Sequence, residues 1–133
     1  NHQEKIVRYE LLQDLEILHK MVAIAVQKNK DMILDRATIA KVSDELISIE
    51  GVELGITVGL IGENEVGVSA RSLGMLNCQM IMEKMGGGGH FTGAALQRKE
   101  SSVKELEDEL LDCLDEYLKE EKRTYESNSI EWC

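Results

Sequence analysis

Apolar residues recur every three or four positions at Val7, Leu11, Leu15, Leu18 and Val22, and this stripe predicts an amphipathic helix over residues 4–20. It reads as a core-packing helix or as a connector from an upstream domain. Met21 to Val26 is an unbroken apolar run rich in β-branched residues, which predicts a buried strand, and the polar stretch Gln27 to Asp35 reads as a loop. Helical spacing returns from Arg36 to Ile49, where Ile39, Val42, Leu46 and Ile49 share a face. Asp35 can cap its start and Gly51 its end. Val52 to Ile61 alternates through Leu54, Ile56, Val58 and Leu60 with the period of a strand, Gly62-Glu63-Asn64 makes a turn, and Val66, Val68 and Ala70 alternate again. So short a link predicts an antiparallel hairpin. Asn77 to Met85 reads as a short helix with Met80, Ile81 and Met85 facing inward, Asn77 as its cap and Gly86 to Gly89 as its stop. Phe91 to Gln97 is expected to be a strand. Ser102 to Glu121 is the clearest helix: Ser102 and Glu105 fit a capping box, and Val103, Leu106, Leu110, Leu114, Tyr117 and Leu118 form the buried stripe, with the other faces acidic and solvated. Residues 123–133 show no clear period.

The order α-β-α-β-β-α-β-α predicts an α/β (α+β) fold, a mixed sheet of about four to five strands flanked by helices. At 133 residues the chain is one domain with one real core. Residues 1–20 are expected to connect to an upstream domain, 21–122 to form the domain proper and 123–133 to be a tail. The start at Asn1 reads as a piece of a longer protein. Met21 to Val26 is far shorter than the ~20 apolar residues of a spanning helix, and the charged, amphipathic start is not a signal peptide. Cys78, Cys113 and Cys133 include no short-spaced pair, which argues against a zinc cluster or a disulfide framework and suits a reducing cytosol. Cys78 and Cys113 read as small core residues, and His2 and His19 carry no assigned role.

A net charge of -10 and 4% aromatics argue against a basic footprint or a stacking platform for nucleic acid. The charge is uneven, however. Residues 67–99 hold Arg71, Lys84, Arg98 and Lys99 against Glu83 alone, and this basic third is also the glycine-rich third. Gly86-Gly87-Gly88-Gly89-His90 is the most informative segment. Four glycines cost roughly 2–4 kcal/mol relative to alanine, a large part of a stability of about 5–15 kcal/mol. Such a run suits repeated positive φ, close approach to the backbone, or successive bare amides that bind an anion. A floppy connector is the plainer alternative. His90 can donate to a phosphate, move a proton or ligate a metal. Arg71, at a strand end in Ser69-Ala70-Arg71-Ser72, can clamp a phosphate, with Ser69 and Ser72 as hydroxyl donors. The sequence holds no cluster of aspartates and histidines suited to two metals, and the glycines fit neither common nucleotide-loop pattern. The pieces describe a phosphate site without a catalytic engine.

Val66-Gly67-Val68-Ser69-Ala70-Arg71-Ser72-Leu73-Gly74, followed by Asn77 to Met85, the glycine run, His90 and Phe91-Thr92-Gly93-Ala94-Ala95, resembles the DHHA1 domain of DHH/DHHA1 phosphodiesterases over about residues 20–120. The likeness is greatest to the cyclic-di-AMP phosphodiesterases, which are usually membrane-anchored. What the resemblance implies is a division of labour. A DHH domain of the same polypeptide would hold two manganese ions and activate water, while this chain, without a cofactor, would hold a cyclic dinucleotide or short oligonucleotide. Arg71 would grip a phosphate with Ser69 and Ser72 nearby. Gly86, Gly87, Gly88 and Gly89 would let the substrate approach, His90 would contact terminal phosphate or base, and Gly93, Ala94 and Ala95 would keep that wall small. The chain would be cytoplasmic, make no direct membrane contact and turn over nothing alone. Two other readings stay open. One is a single-strand nucleic-acid module, as in related exonucleases or alanyl-tRNA synthetases. The other is a homodimer or interaction domain using the acidic helix 102–121.

Overall fold

The computed structural model describes residues 2–132, with side chains through residue 124. The elements run α1 (His2–Gln13), β1 (Glu16–Leu18), β2 (Val22–Val26), α2 (Arg36–Leu46), β3 (Leu54–Gly62), β4 (Glu65–Ser72), α3 (Cys78–Lys84), β5 (Gly88–His90), β6 (Gly93–Lys99) and α4 (Val103–Trp132). The six strands form one mixed sheet in the order β1-β2-β3-β4-β6-β5. Only β2 and β3 are parallel, joined through α2, and every other neighbouring pair is antiparallel. The predicted hairpin is β3–β4, with Val58 opposite Val68 and the turn eased by Asn64 at φ +55.

Two cores follow from the alternation of the strands. On one face the large residues of β2, β3, β4 and β6, such as Ile24, Ile56, Val58, Val68 and Leu96, pack under α3 and α4 through Ile81, Met82, Leu106, Leu110, Leu114 and Tyr117. Tyr117 is buried, and its phenol oxygen accepts the backbone N–H of Asn77 at 2.8 Å, tying the start of α3 to α4. The other face is built of small residues: Ala23, Ala25, Gly55, Thr57, Gly59, Gly67 and Ser69. Helix α2 lies close against it, with α1 behind through Val7 and Leu11. A Cβ at Gly55 would stand 2.7 Å from the Cβ of Leu46 and 2.9 Å from the carbonyl oxygen of Ser43. Ser43 Oγ donates to the carbonyl of Ser69 at 2.8 Å, so its 2.8 Å contact with Thr57 Oγ1 is one in which the threonine donates. All three residues are buried, and this chain of hydroxyls fastens α2 to β3 and β4.

Three predicted caps are present. Asp35 accepts the Thr38 N–H at 2.7 Å, Asn77 that of Met80 at 3.2 Å and Ser102 that of Glu105 at 3.2 Å. The hydrogen bond to Thr38 holds the Asp35 carboxyl below its ordinary range. Several expectations are corrected. The first helix ends at Gln13, and Glu16–Leu18 is an edge strand. Three residues are too few to declare a period, and the turn that follows puts His19 and Lys20 at φ +51 and +68 without a glycine to announce it. Helix α2 stops at Leu46, and Gly51, at φ +89, makes the turn toward β3 instead of capping the helix. In α3 the buried stripe is Cys78, Ile81, Met82 and Met85, and Met80 faces outward. The last strand begins at Gly93, and the glycine run itself supplies β5. Helix α4 continues through the stretch read as a tail, while the side chains from residue 125 onward and Cys133 lie outside the described residues.

Gly55→Ala is expected to destabilise the chain by about 1–3 kcal/mol, because neither a Cβ nor a backbone oxygen can yield cheaply. A urea denaturation midpoint measures this, and an unchanged midpoint would mean that α2 is free to lift.

Candidate functional site

Beyond the edge of α2 the small-residue face of the sheet continues onto β6 and β5. Among the described residues nothing covers it there, and Gly88, His90, Ala95 and Gln97 are exposed. Two rows of register partners cross this shelf. One runs Arg71, Gly93, His90; the other runs Ser69, Ala95, Gly88. A Cβ on Gly93 would stand 3.0 and 3.3 Å from Cε1 and Nε2 of His90 and 3.3 Å from Nη1 of Arg71. The cation and the imidazole therefore lean toward one another over a residue without a side chain. Strand spacing of about 4.8 Å puts their Cα atoms roughly 10 Å apart, and the two side chains close much of that distance above Gly93.

The guanidinium is held in place from below. Arg71 Nη1 donates to the carbonyl of Ala70 at 2.9 Å and to Ser69 Oγ at 3.3 Å, and Nε lies 3.4 Å from Asp44 Oδ1 on α2. His90 Nδ1 lies 3.4 Å from Thr92 Oγ1, which fixes the ring loosely. Arg71 and His90 thus share a face with Ser69, whereas Ser72 does not join them. One residue further along β4, it points to the opposite face, accepts the N–H of Gly74 at 3.4 Å and lies beside Cys78.

The four glycines differ in purpose. Gly86 and Gly87 complete a Schellman ending to α3. Their N–H groups donate to the carbonyls of Glu83 at 3.1 Å and Met82 at 2.8 Å, and Gly86 adopts φ +90. A run of four bare amides is therefore corrected, since two are committed to the helix. At Gly87 a Cβ would run into the carbonyl oxygen of Ala95, and at Gly89 it would stand 2.5 Å from Ala94 Cα. Both glycines let β5 lie against β6. Gly88 alone has no such duty: an ordinary φ, open space where a Cβ would stand, and exposure in the row with Ser69 and Ala95.

The local positive charge also reads differently in three dimensions. Lys84 lies 3.3 Å from Glu116 and 3.5 Å from Glu120, and Arg98 donates to the Met85 carbonyl at 2.7 Å and pairs with Glu109 at 2.6 Å. Both serve α4 on the opposite face, so part of that helix's exposed acidic surface is also paired. The shelf face also carries Lys99, two residues beyond Gln97 on β6, and Arg36, from the first turn of α2; the sequence did not single out Arg36 or Asp44. A basic residue where a helix start favours acids is a signal that could have marked Arg36. Burial pushes the Cys78 thiol up, and the hydroxyl of Ser72 and charge of Arg71 offset this only in part. Cys113 is raised for the same first reason, then by Glu109, and neither thiol is an activated nucleophile. Among the described residues no three His, Cys, Asp or Glu side chains converge to hold a metal ion. Nor is any described helix long and apolar enough to cross a membrane.

Residues 16–120 match the DHHA1 domain family. The chain is 40% identical over 114 residues to the cyclic-di-AMP phosphodiesterase PdeA of Listeria monocytogenes and 40% identical over 113 residues to the cyclic-di-AMP phosphodiesterase GdpP of Bacillus subtilis. These alignments cover 86% and 84% of this chain but only 17% of each relative. In fold it resembles an exopolyphosphatase-related protein from Bacteroides fragilis, with a TM-score of 0.71 at 14% identity over 93% of this chain and 36% of that one. It also resembles the pGpG-specific phosphodiesterase PggH from Vibrio, with a TM-score of 0.58 at 13% identity over 87% of this chain and 40% of that one.

Gly88→Ala is expected to leave stability within about 0.5 kcal/mol, and Gly86→Ala to cost about 1–2 kcal/mol through its left-handed φ. Denaturation midpoints of the two variants compare them, and equal losses would make Gly88 a folding requirement.

Proposed function

The chain belongs to the DHHA1 domain family, and from that premise we propose that it is the substrate-holding part of a DHH-type phosphodiesterase acting on a cyclic dinucleotide or short oligonucleotide. The observation that carries this reading is the pairing of Arg71 and His90 across bare Gly93, beside a Gly88 that folding does not require. A phosphate seated there receives charged N–H groups from the guanidinium on one side and faces a nitrogen of the imidazole on the other. Asp44, Ser69 and the Ala70 carbonyl hold the guanidinium in place, so little freedom is lost on binding. Gly88 lets the ligand rest on the strand backbone.

The residues here bind and orient. Hydrolysis belongs to a DHH domain of the same polypeptide, and the two manganese ions belong with it. Against a module for long single strands, the shelf face offers Arg71, Arg36, Lys99 and an imidazole spread over separate elements in place of a continuous basic track, and the sequence carries 4% aromatics.

Titration of the chain with cyclic di-AMP and linear di-adenylate tests the proposal. Arg71→Ala is expected to weaken binding at least about tenfold, the loss of one or more charge-assisted bonds. Gly88→Val is expected to block binding while melting with the parent chain. No binding at millimolar ligand, or binding that neither change affects, overturns the reading. Affinity that climbs steadily with strand length and collapses with salt would favour the nucleic-acid module instead.

A further inference from the structure

Helix α2 sets a carboxylate against the cation on which the proposed phosphate site depends. Asp44 Oδ1 lies 3.4 Å from Nε of Arg71, and the Asp44 side chain is 62% exposed. We propose that Asp44 is a specificity-determining residue: it biases the Arg71–His90 site toward a singly charged phosphodiester and against a doubly charged terminal phosphomonoester. This rests on the phosphate-holding role proposed above and adds to it which kind of phosphate is held.

The fold does not depend on this pair. An ion pair so exposed adds little to stability. Helix α2 is already fastened by the buried hydroxyls of Ser43 and Thr57 and by the close approach of Leu46 to Gly55. Beside an anion site, however, a carboxylate repels every phosphate that Arg71 attracts, and it repels a dianion twice as strongly as a monoanion.

Asp44 and His90 reach Arg71 from opposite sides. Strand β4 lies between β3 and β6 with β5 beyond, and α2 packs over β3 and β4. A phosphate above Gly93, bonded to the guanidinium at about 2.8 Å, therefore has the guanidinium between itself and Asp44, and the two anions stand roughly 7 Å apart. The neighbouring charges are placed otherwise. On α2, Lys41 bears on Asp35, Glu45 pairs with Arg8, and Arg36 stands roughly 12 Å back along the axis. Lys99, at the far end of β6 from Gly93, is roughly 20 Å away.

A phosphomonoester loses its second proton at about pH 6, so near neutrality it carries close to two negative charges where a diester carries one. At roughly 7 Å, one unit charge acting on another changes affinity about threefold even at the dielectric constant of bulk water. The carboxylate thus weakens a diester about threefold and a monoester about tenfold, which offsets the added pull of Arg71 on the second charge. A strand end left by hydrolysis, a phosphomonoester, thereby loses the advantage that its extra charge would give it over the intact linkage.

The test is a titration of the chain, at about pH 8 and in low-salt buffer where screening is weak, with AMP and with its methyl ester. The two share base and sugar and differ by one charge. In Asp44→Asn the ester is expected to gain about threefold and AMP about tenfold, so that the ratio of the ester Kd to the AMP Kd rises about threefold. Asp44→Glu, which keeps the charge, is expected to leave that ratio at the parent value. Both variants are expected to melt with the parent chain, as changes at exposed positions do. Equal losses for the two ligands in Asp44→Asn, with the ratio unchanged, would make Asp44 a prop for Arg71 alone; that result overturns the proposal and leaves the phosphate site standing. So does a variant that binds both ligands as the parent does. Failure of both ligands to bind any of the chains at millimolar concentration overturns this proposal together with the phosphate reading beneath it.

Discussion

The close seating of α2 on the sheet is the constraint from which the rest of the site follows. Gly55 sits under the Leu46 Cβ and Gly67 under Ile61 and Ile39, while Thr57, Ser43 and the Ser69 carbonyl form a buried hydrogen-bonded chain between helix and strands. Any larger side chain on this face would lift the helix and leave those hydroxyls unpaired away from water, where each costs about 1–3 kcal/mol. The face is therefore small beneath the helix, and Gly93, Ala95 and Gly88 keep it low past the helix edge, on β6 and β5, where nothing described covers it. The requirement that lets α2 dock becomes, a few ångströms further on, an open floor on which a ligand can lie. The same seating brings Asp44 to Arg71.

The opposite face works by the contrary rule. There bulky residues fill the space between the sheet and α3 and α4, and the ion pairs of Lys84 and Arg98 with Glu116, Glu120 and Glu109 lash α4 to the end of α3. That end is where the glycine run begins. The Schellman bonds of Gly86 and Gly87 turn the chain sharply off α3, and Gly89 lets it lie against β6. His90 is thereby delivered beside Gly93. Packing on one face thus aims a residue at the other.

The sequence by itself determined the parts whose cause is local: the two middle strands and their hairpin, the stripes of α2 and α4, the caps at Asp35, Asn77 and Ser102, and the prominence of Arg71 and the glycine run. These depend on spacing and on bonds between residues a few positions apart. The tertiary structure decided which face each residue serves and what it meets there. Ser72 is one residue from Arg71 and on the other side of the sheet. Lys84 and Arg98 share a segment with Arg71 yet are neutralised by a helix that follows in sequence. The four identical glycines separate into a helix ending, two close approaches and one bare position only when β6 is beside them. Edge strands β1 and β5 are too short to show a period, and glycine has no side chain to pattern. Asp44 and Arg71, distant in sequence, meet because α2 folds back over β3 and β4. Those meetings are set by pairing register and helix docking, contacts between distant residues that no local spacing encodes.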